Sequence, residues 1–206
     1  KIKVFTYWID LAKFKKISGA KLNHLLGGLR SHLSNKNHFF VLFVGRLVKE
    51  KGVLELLQAA KTWDKNIILV IAGTGPLEKE IKNQKSKIKN LIYLGAIDND
   101  RLPDYYSTAD LLIVPSIHEE GFGRVILESL ACGTPVIGSN RGAIPEAMDN
   151  TVGKLIDITP ENIKKTVEYF YKNPDKLEKL SKNARKFAEV RYSEKNVDAI
   201  ISSYTE

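Results

Sequence analysis

The chain has 206 residues, of which 43% are hydrophobic, with one cysteine, four histidines and a formal net charge of +8. A chain of this length can bury about 70% of its unfolded surface in one core, so staples are unnecessary. The lone Cys132 excludes an internal disulfide, and four scattered histidines offer no metal-ligand cluster.

No run of 18 apolar residues is present to span a bilayer, and the cysteine usage fits a reducing compartment. The chain opens on Lys1 with no signal-peptide pattern behind it, so the expectation is that it is a piece of something longer. Charge is uneven: residues 1–51 hold 11 Lys and Arg against 2 Asp and Glu, and the remainder is nearly balanced. A cationic end of this kind suits nucleic acid, an anionic membrane surface or an anionic ligand. Nothing in the sequence suggests a cationic face interleaved with stacking aromatics, so nucleic acid is not expected.

In chain order, residues 1–37 carry one short apolar run at 2–9, then a basic stretch with Gly19, Gly27 and Gly28 that reads as a linker. From 39 onward short apolar runs alternate with amphipathic ones. Strands are predicted at 39–44 (FFVLFV), 67–72 (IILVIA), 91–94, 111–114 (LLIV) and 135–138, with a weaker sixth at 153–156. Helices are predicted at 53–63, 77–87, 101–109, 124–131, 160–171 and 175–204, with Pro174 placed to open the last. This alternation argues for an α/β fold, a Rossmann-like open parallel sheet of about six strands with helices on both faces.

Ligands of such sheets lie outside the carboxyl ends of the strands. After the first strand comes Gly45-Arg46-Leu47-Val48-Lys49-Glu50-Lys51-Gly52, where Arg46 and Lys51 flank a strand-to-helix turn that suits an anion. The same turn would also serve as a surface loop with solvated cations. Gly73-Thr74-Gly75-Pro76 reads as a tight turn into a helix, because it lacks the third glycine of a dinucleotide fingerprint. After the fourth strand, Glu120-Gly121-Phe122-Gly123-Arg124-Val125 leads into a helix whose N-terminal amides favour an anion, with Glu128 inside it. Glu120 and Glu128 are expected at two depths of one pocket. Carboxylates accept from sugar hydroxyls, although Glu120 equally suits the dipole of the helix start. His118 and Cys132 read as structural.

Taken together, Gly45-Arg46-x4-Lys51-Gly52, Gly73-x-Gly-Pro76, Ala109-Asp110-x3-Val114-Pro115-Ser116, Glu120-Gly121-Phe122-Gly123-x4-Glu128-x3-Cys132-Gly133-Thr134-Pro135 and Gly142-x2-Pro145-Glu146 resemble family 4 of the retaining glycosyltransferases, the glycosyl transferases group 1. Trp8-Ile9-Asp10 followed by Phe14 is similar to that family's interdomain segment. The resemblance implies the C-terminal, donor-binding half of a GT-B enzyme. Residues 1–37 would be the interdomain remnant, 38–190 the nucleotide-sugar domain, and 191–206 a helix crossing back to an N-terminal acceptor domain.

It further implies that Arg46 and Lys51 hold the diphosphate of a UDP-, GDP- or ADP-sugar, joined by Gly45 and by the backbone of Gly121, Phe122, Gly123, Arg124 and Val125. Glu128 would meet the ribose, Glu120 the transferred sugar, and the backbone of Ala96 and Ile97 the base. The family's spacing between its two glutamates favours Glu120 over Glu119. No metal or other cofactor is expected. The acceptor would be a glycan or a lipid-linked sugar, the location cytoplasmic or peripheral on the inner membrane face. The sequence departs from the family at Arg141-Gly142-Ala143, where many members carry paired glycines. Two other classes fit parts of the pattern: a nucleotide-binding module without chemistry, and a glycoside hydrolase using Glu120 and Glu128 as acid and base.

Overall fold

Short runs of branched and aromatic residues bounded by turns favour strands with both faces buried, and six of them form one sheet in a computed structural model that describes residues 7–17 and 38–203. The strands are β1 (Phe39–Val44), β2 (Ile67–Ala72), β3 (Leu91–Gly95), β4 (Leu111–Val114), β5 (Val136–Ser139) and β6 (Gly153–Ile156). All pairings are parallel, in the order β3-β2-β1-β4-β5-β6. The chain therefore builds outward from β1 on one side, crosses back at β4, and builds outward on the other. A crevice at the carboxyl ends of β1 and β4 follows from that reversal.

The helices are α1 (Val53–Ala60), α2 (Glu78–Gln84), α3 (Leu102–Thr108), α4 (Arg124–Ala131), α5 (Ile144–Ala147), α6 (Pro160–Lys172), α7 (Pro174–Arg191) and α8 (Lys195–Ser203). Alternation along β1 divides the core: Phe40 and Leu42 face one layer with Tyr106, Ile126, Leu130 and Ala184, while Val41 and Phe43 face the other with Leu56, Ile81, Ile163 and Val167. Helices accordingly cover both faces, as expected. Thr159 caps α6 by accepting from Asn162 N at 3.1 Å, and Pro174 sits in the first turn of α7. That corner carries the chain from the α1 face to the α4 face around the edge of β6.

Several boundaries differ from expectation. α1 ends at Ala60 because the amides of Thr62 and Trp63 turn back to Ala59 and Ala60, tucking the Trp63 ring into the core. α2 is shorter at both ends, since Leu77 N is drawn to Leu47 O at 2.9 Å. The helix expected over 175–204 breaks between α7 and α8, where Tyr192 is fully buried and its hydroxyl donates to Ala147 O at 2.8 Å. α5 is too short to show as a periodic pattern.

Part of the apolar run at 2–9, the glycine-bearing stretch 18–37 and residue 204 lie outside the described residues. Over its described part, the segment expected as a linker contributes Ile9 and Phe14 to the core. Arg185 holds it there, donating to Phe14 O at 2.7 Å and Leu11 O at 3.3 Å while also reaching Ala131 O at 2.9 Å.

Candidate functional site

The loops that follow β1 and β4 are stitched together by their backbones. Ile117 N and His118 N both donate to Glu50 O, at 2.9 and 3.3 Å. Gly52 caps the short 3-10 turn Lys49–Lys51 with φ 67°, and its Cα lies so close to the Pro115 carbonyl that a Cβ would overlap it. This contact brings together two side chains 69 residues apart: Lys51 Nζ forms an ion pair with Glu120 Oε1, and Ser116 Oγ donates to the same oxygen.

The loop after β5 supports Glu120 from the other side. Ala143 N donates to Glu120 O at 3.1 Å, and Gly142, at φ 55°, lies where a Cβ would be 2.6 Å from Glu120 N. Arg141-Gly142-Ala143 thus packs directly on the glutamate. Arg141 also donates from Nη1 to Ile117 O at 3.3 Å.

Along the strand ends, a depression of about 320 Å³ is lined by Arg46, Lys51, His118, Glu119 and Glu120. A neighbouring one of about 250 Å³ is lined by Gly45, Arg46, Thr74, Ala96 and Ile97. Arg46 belongs to both and is exposed. A third, of about 370 Å³, lies at the start of α4, between Arg124, Lys13, Asn99 and the aromatic pair Tyr7 and Trp8. Gly121 is exposed and Val125 half-buried at this helix start. Phe122 turns its ring away onto Tyr7, stacked at 4.5 Å, with Tyr192 edge-on at 5.9 Å, which holds the backbone of the turn in place. Gly123 is the N-cap of α4 at φ 70° and accepts from Ile126 N at 2.8 Å, and the amides before Ile126 have no helical partner.

Glu120 and Glu128 stand at different depths. Glu120 lines the 320 Å³ depression, whereas Glu128 is 4% exposed in the core beneath α4, with its Oε2 accepting from the Tyr106 hydroxyl at 2.8 Å. The helical turn places Glu128 on the face that packs against α3. Burial raises the Glu128 pKa above the ordinary 4.5, against the lowering effect of the Tyr106 hydroxyl and the charges of Arg124 and Lys13. Burial and the adjacent Glu128 charge push Tyr106 well above its own ordinary value. A hydrolase needs its acid and base on either side of one bond, and this arrangement does not provide that pair.

Gly73-Thr74-Gly75 is structural, as expected: Thr74 O accepts from Leu47 N at 2.8 Å, and Gly73 packs against the backbone of Gly45. Cys132 is buried, and burial raises its thiol to about 12. Two supporting residues had no role from sequence. Ser116 follows a strand at hydroxyl reach of Glu120, a local signal that was available. Tyr106 lies 22 residues before Glu128 on another helix, and no local pattern links them. Among the described residues, no group of His, Cys, Asp and Glu could hold a metal ion, and no helix is long and apolar enough to cross a membrane.

A family model described as glycosyl transferases group 1 matches residues 29–187. The chain is 32% identical over 164 residues to an uncharacterized glycosyltransferase of Methanocaldococcus jannaschii, covering 76% of this chain and 42% of that protein. It is 28% identical over 216 residues to a D-inositol 3-phosphate glycosyltransferase of Saccharomonospora viridis, covering 96% and 48%. The chain spans about half the length of such relatives. Among solved structures, HepE of Anabaena in complex with UDP-glucose superposes with a TM-score of 0.82 at 23% identity, covering 97% of this chain and 57% of that one. The C-terminal domain of a group 1 glycosyl transferase (LpcC) from Francisella tularensis gives 0.75 at 23%, covering 90% and 98%. The six-stranded sheet is thus the Rossmann-like fold found in GT-B enzymes. With its match extending through β1 to α7, the chain belongs to the family of glycosyl transferases group 1.

Proposed function

We propose that this chain is the donor-binding half of an enzyme that moves a sugar from a nucleoside diphosphate sugar to an acceptor hydroxyl, with retention of configuration. The observation that supports it is the meeting of Arg46, Lys51 and Glu120 beside the N-terminus of α4, in the crevice where strand order reverses. Cations, helix amides and a carboxylate together match the three parts of such a donor: a diphosphate, its leaving-group charge and the hydroxyls of a sugar.

In this reading the diphosphate lies between Arg46 and the first amides of α4. Lys51, held by Glu120 in the free chain, turns to the phosphate as it arrives. Glu120 is then free to accept from the hydroxyls of the sugar. As the bond from C1 to the diphosphate oxygen breaks, negative charge grows on the leaving group, where Arg46 and Lys51 stabilise it. The acceptor hydroxyl attacks C1 from the side the diphosphate leaves, and its proton passes to a diphosphate oxygen. The two side-chain cations supply the charge that a metal would otherwise provide. Glu128, oriented by Tyr106, offers its remaining acceptor capacity to the ribose, and the backbone at Ala96 and Ile97 reads the base.

HepE of Anabaena, which shares the fold, holds UDP and glucose in its crystals, which favours a nucleotide-sugar donor here. The acceptor, a glycan or lipid-linked sugar, would be held by a second domain. Eight Lys and Arg against one Asp in residues 1–37 favour a place at an anionic membrane surface on the cytoplasmic side. Calorimetric titration of this chain with UDP, GDP and ADP tests the donor site: saturable, millimolar-range binding of one of them is expected, and silence from all three overturns the reading. In the full-length protein, Glu120→Ala should abolish transfer while nucleotide affinity changes little.

A further inference from the structure

A second concavity lies away from the crevice, at the edge of the sheet. Among the described residues β6 pairs with β5 alone, and α6 packs on one face while α7 runs from that face, at Leu177 and Leu180, to the other, at Ala184 and Ala188. Between them lies a cavity of about 680 Å³, within the usual range for ligand sites. Its walls carry Lys154 from β6, Lys165 and Tyr169 from α6, and Lys176 and Lys179 from α7, with no Asp or Glu among the lining residues. Spacing accounts for the convergence: Lys165 and Tyr169 are one helical turn apart, as are Lys176 and Lys179, so each helix presents a single face.

Two nearby carboxylates on the same helices are engaged elsewhere, Glu168 with Lys164 at 3.9 Å and Glu178 with Lys182 at 2.6 Å. None of the four lysines lining the cavity has an ion-pair partner among the described residues. The site is also braced, because Asn183 Nδ2 donates to Thr151 O at 3.0 Å and ties α7 to the turn before β6. Four ammonium groups around one concavity focus positive potential into it. Tyr169 is 49% exposed there, a flat apolar ring beside the cations.

We propose that this cavity binds an acidic oligosaccharide segment, with its carboxylate or phosphate groups on the lysines and the C–H face of a sugar ring on Tyr169. A bilayer surface is flat and cannot enter a concavity between two helices, and a small inorganic anion has no use for the ring. The cavity shares no lining residue with the crevice, so the inference is independent of the donor site.

The test is titration of this chain with pentagalacturonate, beside maltopentaose, tripolyphosphate and phosphatidylglycerol vesicles. Pentagalacturonate is expected to bind saturably and to weaken at least about tenfold when salt rises from about 50 to about 300 mM, with maltopentaose silent. The double change Lys165→Glu, Lys179→Glu should lose about tenfold or more, and Tyr169→Ala several-fold, while UDP titration and the melting temperature stay as in the unchanged chain. No binding of pentagalacturonate, binding indifferent to these substitutions, or binding of tripolyphosphate or vesicles alone overturns the proposal. Because UDP is measured in the same preparations, failure of the unchanged chain to bind pentagalacturonate while it binds UDP counts against this inference only.

Discussion

At the residue scale, the ion pair between Lys51 and Glu120 joins two side chains whose sequence reading assigned them to different parts of a donor. The sequence reading takes Glu120 over Glu119 from the spacing its family resemblance implies; in the structure both line one depression, with Glu119 exposed and Glu120 held by Lys51 and Ser116. Lys51→Ala should weaken nucleotide binding about tenfold to a hundredfold, the range for charge-assisted hydrogen bonds, as read by calorimetry. The melting temperature should move little, because the pair is partly exposed and Ser116 still donates to Glu120. Glu128 carries a prediction of its own. Its folded pKa lies above its ordinary 4.5, chiefly through burial, so the stability it contributes is complete below that ordinary value and is lost as pH rises through the raised one. Glu128→Gln keeps an acceptor for the Tyr106 hydroxyl and removes the titration. Relative to the variant, the unchanged chain should therefore lose melting temperature on going up from about pH 4.5, and parallel curves would sink the explanation.

At the scale of elements, the site depends on three loops held by backbone contacts. Gly142→Ala places a Cβ 2.6 Å from Glu120 N at φ 55°, so a loss of about 1–3 kcal/mol is expected in denaturant unfolding. Gly121→Ala is the contrast: a Cβ there meets nothing within 4 Å, and its stability should stay within about 0.5 kcal/mol. The strands were legible to within a residue because, β6 apart, they are short apolar runs whose neighbours along the chain announce them. Helix ends were less so. α1 stops early where Trp63 finds room in the core, and α7 stops where Tyr192 reaches Ala147, and both decisions belong to distant partners.

For the whole molecule, residues 7–17 are bound into the domain through Ile9, Phe14 and the three hydrogen bonds of Arg185. Arg185→Ala should cost about 1.5–3 kcal/mol and speed tryptic cleavage at Lys15 and Lys16, with Arg185→Lys restoring part of the loss. Unchanged cleavage in the alanine variant would show that apolar docking alone holds the segment. What the sequence by itself determined was the number of strands, the α/β alternation and the stretches after β1 and β4 where glycines and charged residues collect. These are local properties, set by a residue and its near neighbours. Only the tertiary structure decided which carboxylate is paired and which is buried, that Ile9 and Phe14 of the 7–17 segment enter the core, and that four lysines from one strand and two helices share a cavity. Such contacts join residues tens of positions apart. Which of them form depends on strand order and on how helices close over the sheet, and chain periodicity carries no record of either.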